Sequence, residues 1–245
     1  MLLKIYDIDS WKNFFDLIHD STTVVELKLD QERCSMSLLN NSHVCFYMVE
    51  YTRDFFDLYQ VENVESILIF VADFYNIIKT ANAKDTMELS SDESHLKIVL
   101  EHDLNRRVFE IPLADDYGES PVPPNVSSTV SFDVDLKELK QPCIDLDKII
   151  KTDRFKMIIN DDNLSIISPS DSMTQYKQEI YIDNYGSATT IVNLNYILDL
   201  QKLSKINESV TFGVGNDMPL IWNITSPDEC VKVEGLIAPI YEEDD

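Results

Sequence analysis

Cysteines, histidines and carboxylates are the side chains best able to do chemistry in this chain of 245 residues, and they are spread apart. Cys34, Cys45, Cys143 and Cys230 form no C-x-x-C pair, and no histidine stands at metal-ligand spacing from them. They read as buried free thiols, and neither a metal nor another cofactor is expected. The sequence holds no G-x-S-x-G elbow, no phosphate loop and no H-E-x-x-H. Gly213-Val214-Gly215 precedes Asn216-Asp217-Met218-Pro219 between two strand patterns, where glycines serve a hairpin turn. Asp161-Asp162 and Asp92-Glu93 fall at hairpin loops and read as solvated turn residues. Catalysis needs groups gathered in one cleft, and no such set is legible, so a non-enzyme is expected.

The lysines are more informative. Lys12, Lys79, Lys84, Lys137, Lys140, Lys148, Lys151, Lys202 and Lys205 all fall on or beside four helical patterns, while acids crowd the strands, the loops and the tail. A formal charge of −24 repels phosphate, so any DNA contact has to use a locally basic face. Either the helices present that face, or the lysines simply occupy the polar sides of amphipathic helices.

The elements that must position these lysines are marked by periodicity. A first helix is expected after Asp9 or Ser10 as N-cap, with Trp11, Phe14, Phe15 and Ile18 on one face. Strands follow at 24–29, 34–38 and 44–49, then a helix over 72–81 burying Phe74, Ile77, Ile78 and Ala81, then strands 86–90, 95–101 and 106–113. Residues 114–125 include Pro121, Pro123 and Pro124, which forbid helix and favour an extended connector. The second half reads as strand 128–134, a helical stretch 135–150 that Pro142 should kink, break or delay, strands 154–160, 163–168 and 175–183, helix 194–203, and strands 209–214, 219–225 and 230–237. The acidic end, 241–245, reads as a frayed terminus.

The chain is also written twice. Residues 78–114 and 201–237 share a pattern at a spacing of about 123: Lys79 falls on Lys202, Leu89 on Phe212, Val108 on Val231 and Leu113 on Leu236. The fold class expected is α+β, with two similar domains in tandem, 1–115 and 128–245, joined by a connector at 116–127. No run approaches the roughly 18 apolar residues of a membrane span, and no signal sequence is evident, so a soluble intracellular protein without membrane contact is expected.

Five pieces in register resemble the proliferating cell nuclear antigen (PCNA) type of DNA sliding clamp, especially its archaeal members. They are Ser42-His43-Val44, Ala83-Lys84-Asp85-Thr86-Met87-Glu88-Leu89, Phe109-Glu110-Ile111-Pro112-Leu113, Gly215-Asn216-Asp217-Met218-Pro219-Leu220 and Leu236-Ile237-Ala238-Pro239. The resemblance runs the length of the chain. It departs at Asn40-Asn41, at Ile240 after Ala-Pro, and in a first helix with one lysine beside Asp16 and Asp20.

The resemblance implies a closed ring of three subunits, helices inside and sheets outside, that encircles duplex DNA and tethers polymerase, clamp loader, ligase and flap nuclease. Lys12, Lys79, Lys84, Lys137, Lys140, Lys202 and Lys205 would face the duplex phosphates without reading bases, with Lys79 and Lys202 favoured by the repeat. A partner peptide with a hydrophobic plug would dock on Leu39, His43, Val44, Val122, Pro123, Pro219, Leu236, Ala238 and Pro239. Edge strands 106–113 and 175–183 would close the ring through Phe109, Ile111, Tyr176, Ile180 and Ile182, although packing within each sheet competes for the same residues. In an archaeon such a clamp lies in the nucleoid-associated cytoplasm, in a eukaryote in the nucleus. The alternative is a monomeric or heterotrimer-only paralogue acting as an interaction module or regulator.

Overall fold

The computed structural model describes every residue except Ala83, 116–120, 170–171, Asp217 and 242–245. Parts of four segments named above therefore lie outside the described residues: Ala83, residues 116–120 of the connector, Asp217, and residues 242–245 of the acidic end. The chain divides into two compact units, Met1–His43 with Tyr47–Val122 and Thr225–Val233, and Val44–Phe46 with Pro123–Ile224 and Glu234–Asp245.

In the first unit, β1 (Leu2–Ile5) is followed by α1 (Ile8–Ile18), then β2 (Val24–Leu29), β3 (Arg33–Leu39), β4 (Cys45–Thr52), β5 (Leu58–Gln60) and β6 (Glu65–Phe70). Next come α2 (Val71–Ile78), β7 (Thr86–Ser91), β8 (His95–His102) and β9 (Asn105–Pro112). One antiparallel sheet runs β5-β1-β7-β8-β9, leaving β9 at its edge, and a second series runs β4-β3-β2-β6. Helix α1 starts earlier than the sequence indicates because Asp7 is its cap: Ser10 Oγ donates to the Asp7 carboxylate at 2.6 Å. The aromatic stripe is buried as its period requires. Trp11, Phe14, Phe15 and Ile18 are fully inside, and Trp11 stacks on Tyr51 with centroids 5.1 Å apart.

In the second unit, β10 (Val130–Asp135) leads into α3 (Leu136–Asp145), then β11 (Arg154–Asn160), β12 (Asn163–Ile167), β13 (Lys177–Tyr181) and β14 (Ser187–Asn193). It ends with α4 (Leu194–Asp199), β15 (Ser209–Val214), β16 (Leu220–Thr225) and β17 (Val231–Ile237). One sheet is β13-β12-β11-β14, with β13 at its edge, and the other series runs β10-β15-β16-β17. Pro142 neither breaks nor delays α3. It lies buried inside the helix, which continues into a π turn over Leu146–Ile150 and stops at Lys151 in the left-handed region. A proline deletes one backbone donor, here the one that would reach Glu138 O, and the helix continues past that single missing bond.

Four strands, β1, β5, β6 and β14, carry no signal in the sequence reading. The first is four residues long, the second three, and the other two run straight into helices that masked them. Gly213 is not a turn residue either: it lies in β15, where an added β-carbon would meet Ser128 at 3.0 Å.

Pairing partners relate the two halves residue by residue. Phe70, the last residue before α2, pairs with Val24, and Asn193, the last before α4, pairs with Arg154. Lys79 and Lys202 correspond. The match of Val108 with Val231 and Leu113 with Leu236 does not hold. His102 pairs with Asn105 across a tight turn, whereas Ser226 N donates to Val231 O across a longer one, so the halves slip and Asn105 corresponds to Val231.

Candidate DNA-facing helices and partner surfaces

Helix pairs α1 with α2 and α3 with α4 bring the lysines together within each unit. In the first unit Lys12 reaches across to α2. Its Nζ donates to Ala81 O at 2.5 Å and lies 3.6 Å from the Asp9 carboxylate, leaving the side chain 20% exposed. Ala81 lies just past the end of α2, so this lysine ties α1 to the segment that follows α2 and is partly withdrawn from the surface expected of it. Lys79 and Lys84 are exposed. Lys79 Nζ donates to Asn76 Oδ1 at 2.6 Å and stands 5.4 Å from the Tyr75 ring centroid. The surroundings are acidic: Tyr75 donates its hydroxyl to Asp16, His19 stacks on the same ring at 4.7 Å, and His19 Nε2 is 3.1 Å from Asp20. Burial first, then that bond to Asp16, push the Tyr75 phenol up to about 12.

In the second unit Gln201 Nε2 donates to Leu136 O at 2.7 Å, tying the 3-10 turn Leu200–Leu203 to the start of α3. Lys137, Lys140, Lys202 and Lys205 are thereby grouped. Lys137 is 2.7 Å from Asp135, and Lys202 is 3.0 Å from Asp199. Lys79 and Lys202 are thus equivalent in detail: each bonds the residue three before it, Asn76 or Asp199. These surface pairs are weak and can be exchanged for phosphate contacts.

Of the residues expected to hold a partner peptide, Leu39, His43 and Val122 belong to the first unit, and Val44, Pro123, Pro219, Leu236, Ala238 and Pro239 to the second. His43 takes a left-handed φ of 58° in the turn closed by its own N–H to Asn40 O, at 2.8 Å. Val44 O accepts from Ala238 N at 2.8 Å, which fixes the end of the chain beside β4. Val122 is 84% exposed, and 121–127 contains neither helix nor strand.

The two edge strands carry the remaining candidates. Phe109, Tyr176 and Ile180 are half-buried, whereas Ile111 and Ile182 are core residues, 6% and 2% exposed. Strand alternation turns those two inward; the apolar side chains that the edges present outward are Val108 and Tyr181, which the sequence reading missed. Their signal was there in the alternation of 105–112, once one knows which face is covered.

Behind β9, Arg107 is a staple. Its guanidinium donates to Asp85 at 2.7 Å and to Thr80 Oγ1 at 3.0 Å. Burial alone raises the Asp85 carboxyl, but the Asn82 backbone N–H and Arg107 outweigh it and hold the carboxyl below its ordinary range. The stabilisation is therefore complete above the ordinary carboxylate range and is lost as pH falls through the lowered one. Asp85→Asn should lower stability at neutral pH by roughly 1–3 kcal/mol. Urea midpoints measured down the acid range should show the gap to wild type closing; a gap independent of pH would contradict the staple.

The first half of the chain, residues 3–114, matches the family model described as proliferating cell nuclear antigen, N-terminal domain. The DNA polymerase sliding clamp of Methanobrevibacter smithii is 27% identical over 243 residues, covering 99% of this chain and 98% of its own length. That of Methanothermobacter thermautotrophicus is 27% identical over 242 residues, covering 98% and 97%. In sequence and in fold the chain is similar to PCNA-type clamps. Among solved structures, a PCNA2-PCNA3 complex from Sulfolobus tokodaii gives a TM-score of 0.87 at 20% identity, over 99% of this chain and 100% of that chain. A. fulgidus PCNA, solved with the C-terminal region of FEN-1 bound, gives 0.88 at 18%, over 99% of each. No described helix of the protein is long and apolar enough to cross a membrane.

Proposed function

We infer that this chain is a DNA sliding clamp: a processivity factor, with no chemistry of its own, whose ring encircles duplex DNA and tethers polymerase and other replication and repair proteins. The observation that carries this reading is likeness along the whole chain, in sequence and in fold, to proteins named for that role. The two tandem domains, 1–115 and 128–245, are taken as its repeating unit. Lys79, Lys84, Lys137, Lys140, Lys202 and Lys205 are assigned to backbone phosphates, sequence-independent contacts that permit sliding. The residues around Val122 and Pro239 are assigned to a partner peptide, since an apolar side chain exposed between prolines suits a docking plug.

One experiment tests both parts. Light scattering across a micromolar dilution series should give three times the 28.2 kDa subunit mass, and Val122→Asp with Pro239→Asp should abolish binding of a polymerase-derived hydrophobic peptide without changing that mass. A persistent monomer would favour the paralogue that needs other subunits, and undiminished peptide affinity would remove the docking assignment.

A further inference from the structure

The helix pair of the first unit carries an imidazole as well as lysines. His19 closes α1, with its Nδ1 2.8 Å from Asp16 O and its Nε2 3.1 Å from the Asp20 carboxylate. Both partners are acceptors, since a backbone carbonyl and an ionised carboxylate offer no proton. A neutral imidazole has one N–H and serves only one of them, whereas an imidazolium serves both. Histidine is also the side-chain type whose charge changes between about pH 5 and pH 8.

The ring stacks on Tyr75 of α2, and Lys79 Nζ stands 5.4 Å from the centroid of that same phenol ring. Imidazole and ammonium thus share one aromatic plate. Tyr75 donates its hydroxyl to Asp16, and burial, then that bond, push the phenol up to about 12, so the plate keeps its proton and its place across that range. The charged groups around the imidazole are Asp16 on α1, Asp20 just past its end and Lys79 at the end of α2. With the ring neutral, two carboxylates outweigh Lys79 and the patch repels phosphate. With the ring charged, acids and bases balance.

We propose that His19 is a proton-operated contact for the DNA backbone: the first unit takes hold of phosphate there when the imidazole is charged and lets go when it is neutral. This gate rests on the clamp reading, whose DNA-facing surface it regulates. The Asp20 side chain is 90% exposed, so its carboxylate swings aside at little cost and leaves the Nε2–H to a phosphate oxygen. A phosphate beside the ring in turn favours the charged form, so protonation and DNA contact reinforce each other. The contact is present at low pH and is lost as pH rises. The second unit has no counterpart. All four histidines, His19, His43, His95 and His102, belong to the first unit, and the residue four before Lys202, where Tyr75 precedes Lys79, is Leu198. The candidate contacts there are lysines, so the pH-dependent share of the grip lies in the first unit alone.

Retention on nicked circular duplex after dilution, at matched ionic strength, should last at least about threefold longer at about pH 6 than at about pH 8, because one added phosphate contact steepens the logarithmic salt dependence by about 0.9. His19→Gln should abolish that rise and match wild type at the higher pH. His19→Arg, a permanent cation, should be held for the longer time at both. His102→Gln should behave as wild type: that ring also touches a carbonyl and a carboxylate, Lys84 O at 3.2 Å and Asp103 at 3.4 Å, but at the turn after β8. A rise that is missing from wild type, survives in His19→Gln or vanishes in His102→Gln overturns the gate and leaves the clamp reading standing, as does a His19→Arg chain held no longer than wild type at the higher pH. A wild type held on circles at neither pH overturns both.

Discussion

Reversing Lys79 and Lys202 together to glutamate should shorten retention of the clamp on circular duplex DNA by at least about tenfold, because each lost phosphate contact removes a counterion-release contribution. The two lysines are repeat equivalents, each lightly held by a neighbour three residues back at 2.6 and 3.0 Å. A ring of three subunits would turn all its copies at once, and the field near Lys79 already includes Asp16 and Asp20, so reversal makes that side more acidic still. Retention is read as the fraction bound to nicked circles after dilution, at two salt concentrations. The variant should also show a shallower salt dependence, while Lys12→Glu should instead lower thermal stability. Equal retention by wild type and the double variant would remove both lysines from the DNA-facing set.

Gly235→Ala should lower stability by about 1–3 kcal/mol, and by more if the strand cannot shift. An ideal β-carbon at this position would lie 2.3 Å from two Trp222 ring carbons, and Trp222 is fully buried. For a chain of this length that corresponds to a fall in melting temperature of roughly 2–12 °C. Trp222→Leu in the Gly235→Ala background should restore part of the loss, because removing the indole vacates the space the methyl needs. A Gly235→Ala variant that melts with wild type would show that the tryptophan has room to move.

Much of the fold was legible because the strongest periodic signals are also the best buried. Trp11, Phe14, Phe15 and Ile18 gave α1, and alternation gave β2, β7 and β8 with boundaries close to those observed. Short strands such as β5 left too few residues to show a period, and β6 and β14 were absorbed into the helices they precede. Pro142 misled because one proline removes a single bond from a helix whose other residues keep theirs. The candidate site was legible in kind but not in orientation. Helix lysines could be found by counting; that Lys12 turns inward to Ala81, or that Ile111 and Ile182 face the core while Val108 and Tyr181 face out, depends on which side of a strand or helix is covered. One shared spacing could not reveal the slip at the last hairpins, since turn length is set by local backbone geometry and not by strand chemistry.

Arg107 belongs to an edge strand, yet its guanidinium grips Thr80, the residue after Lys79, and Asp85 just beyond. The strand assigned to the seam and the helix end assigned to the lumen are therefore a single rigid corner. On the proposed reading, a protein that prised the seam apart would have its handle on the same lever that points a lysine at the duplex, so gate and grip would not be separately adjustable in this half of the subunit.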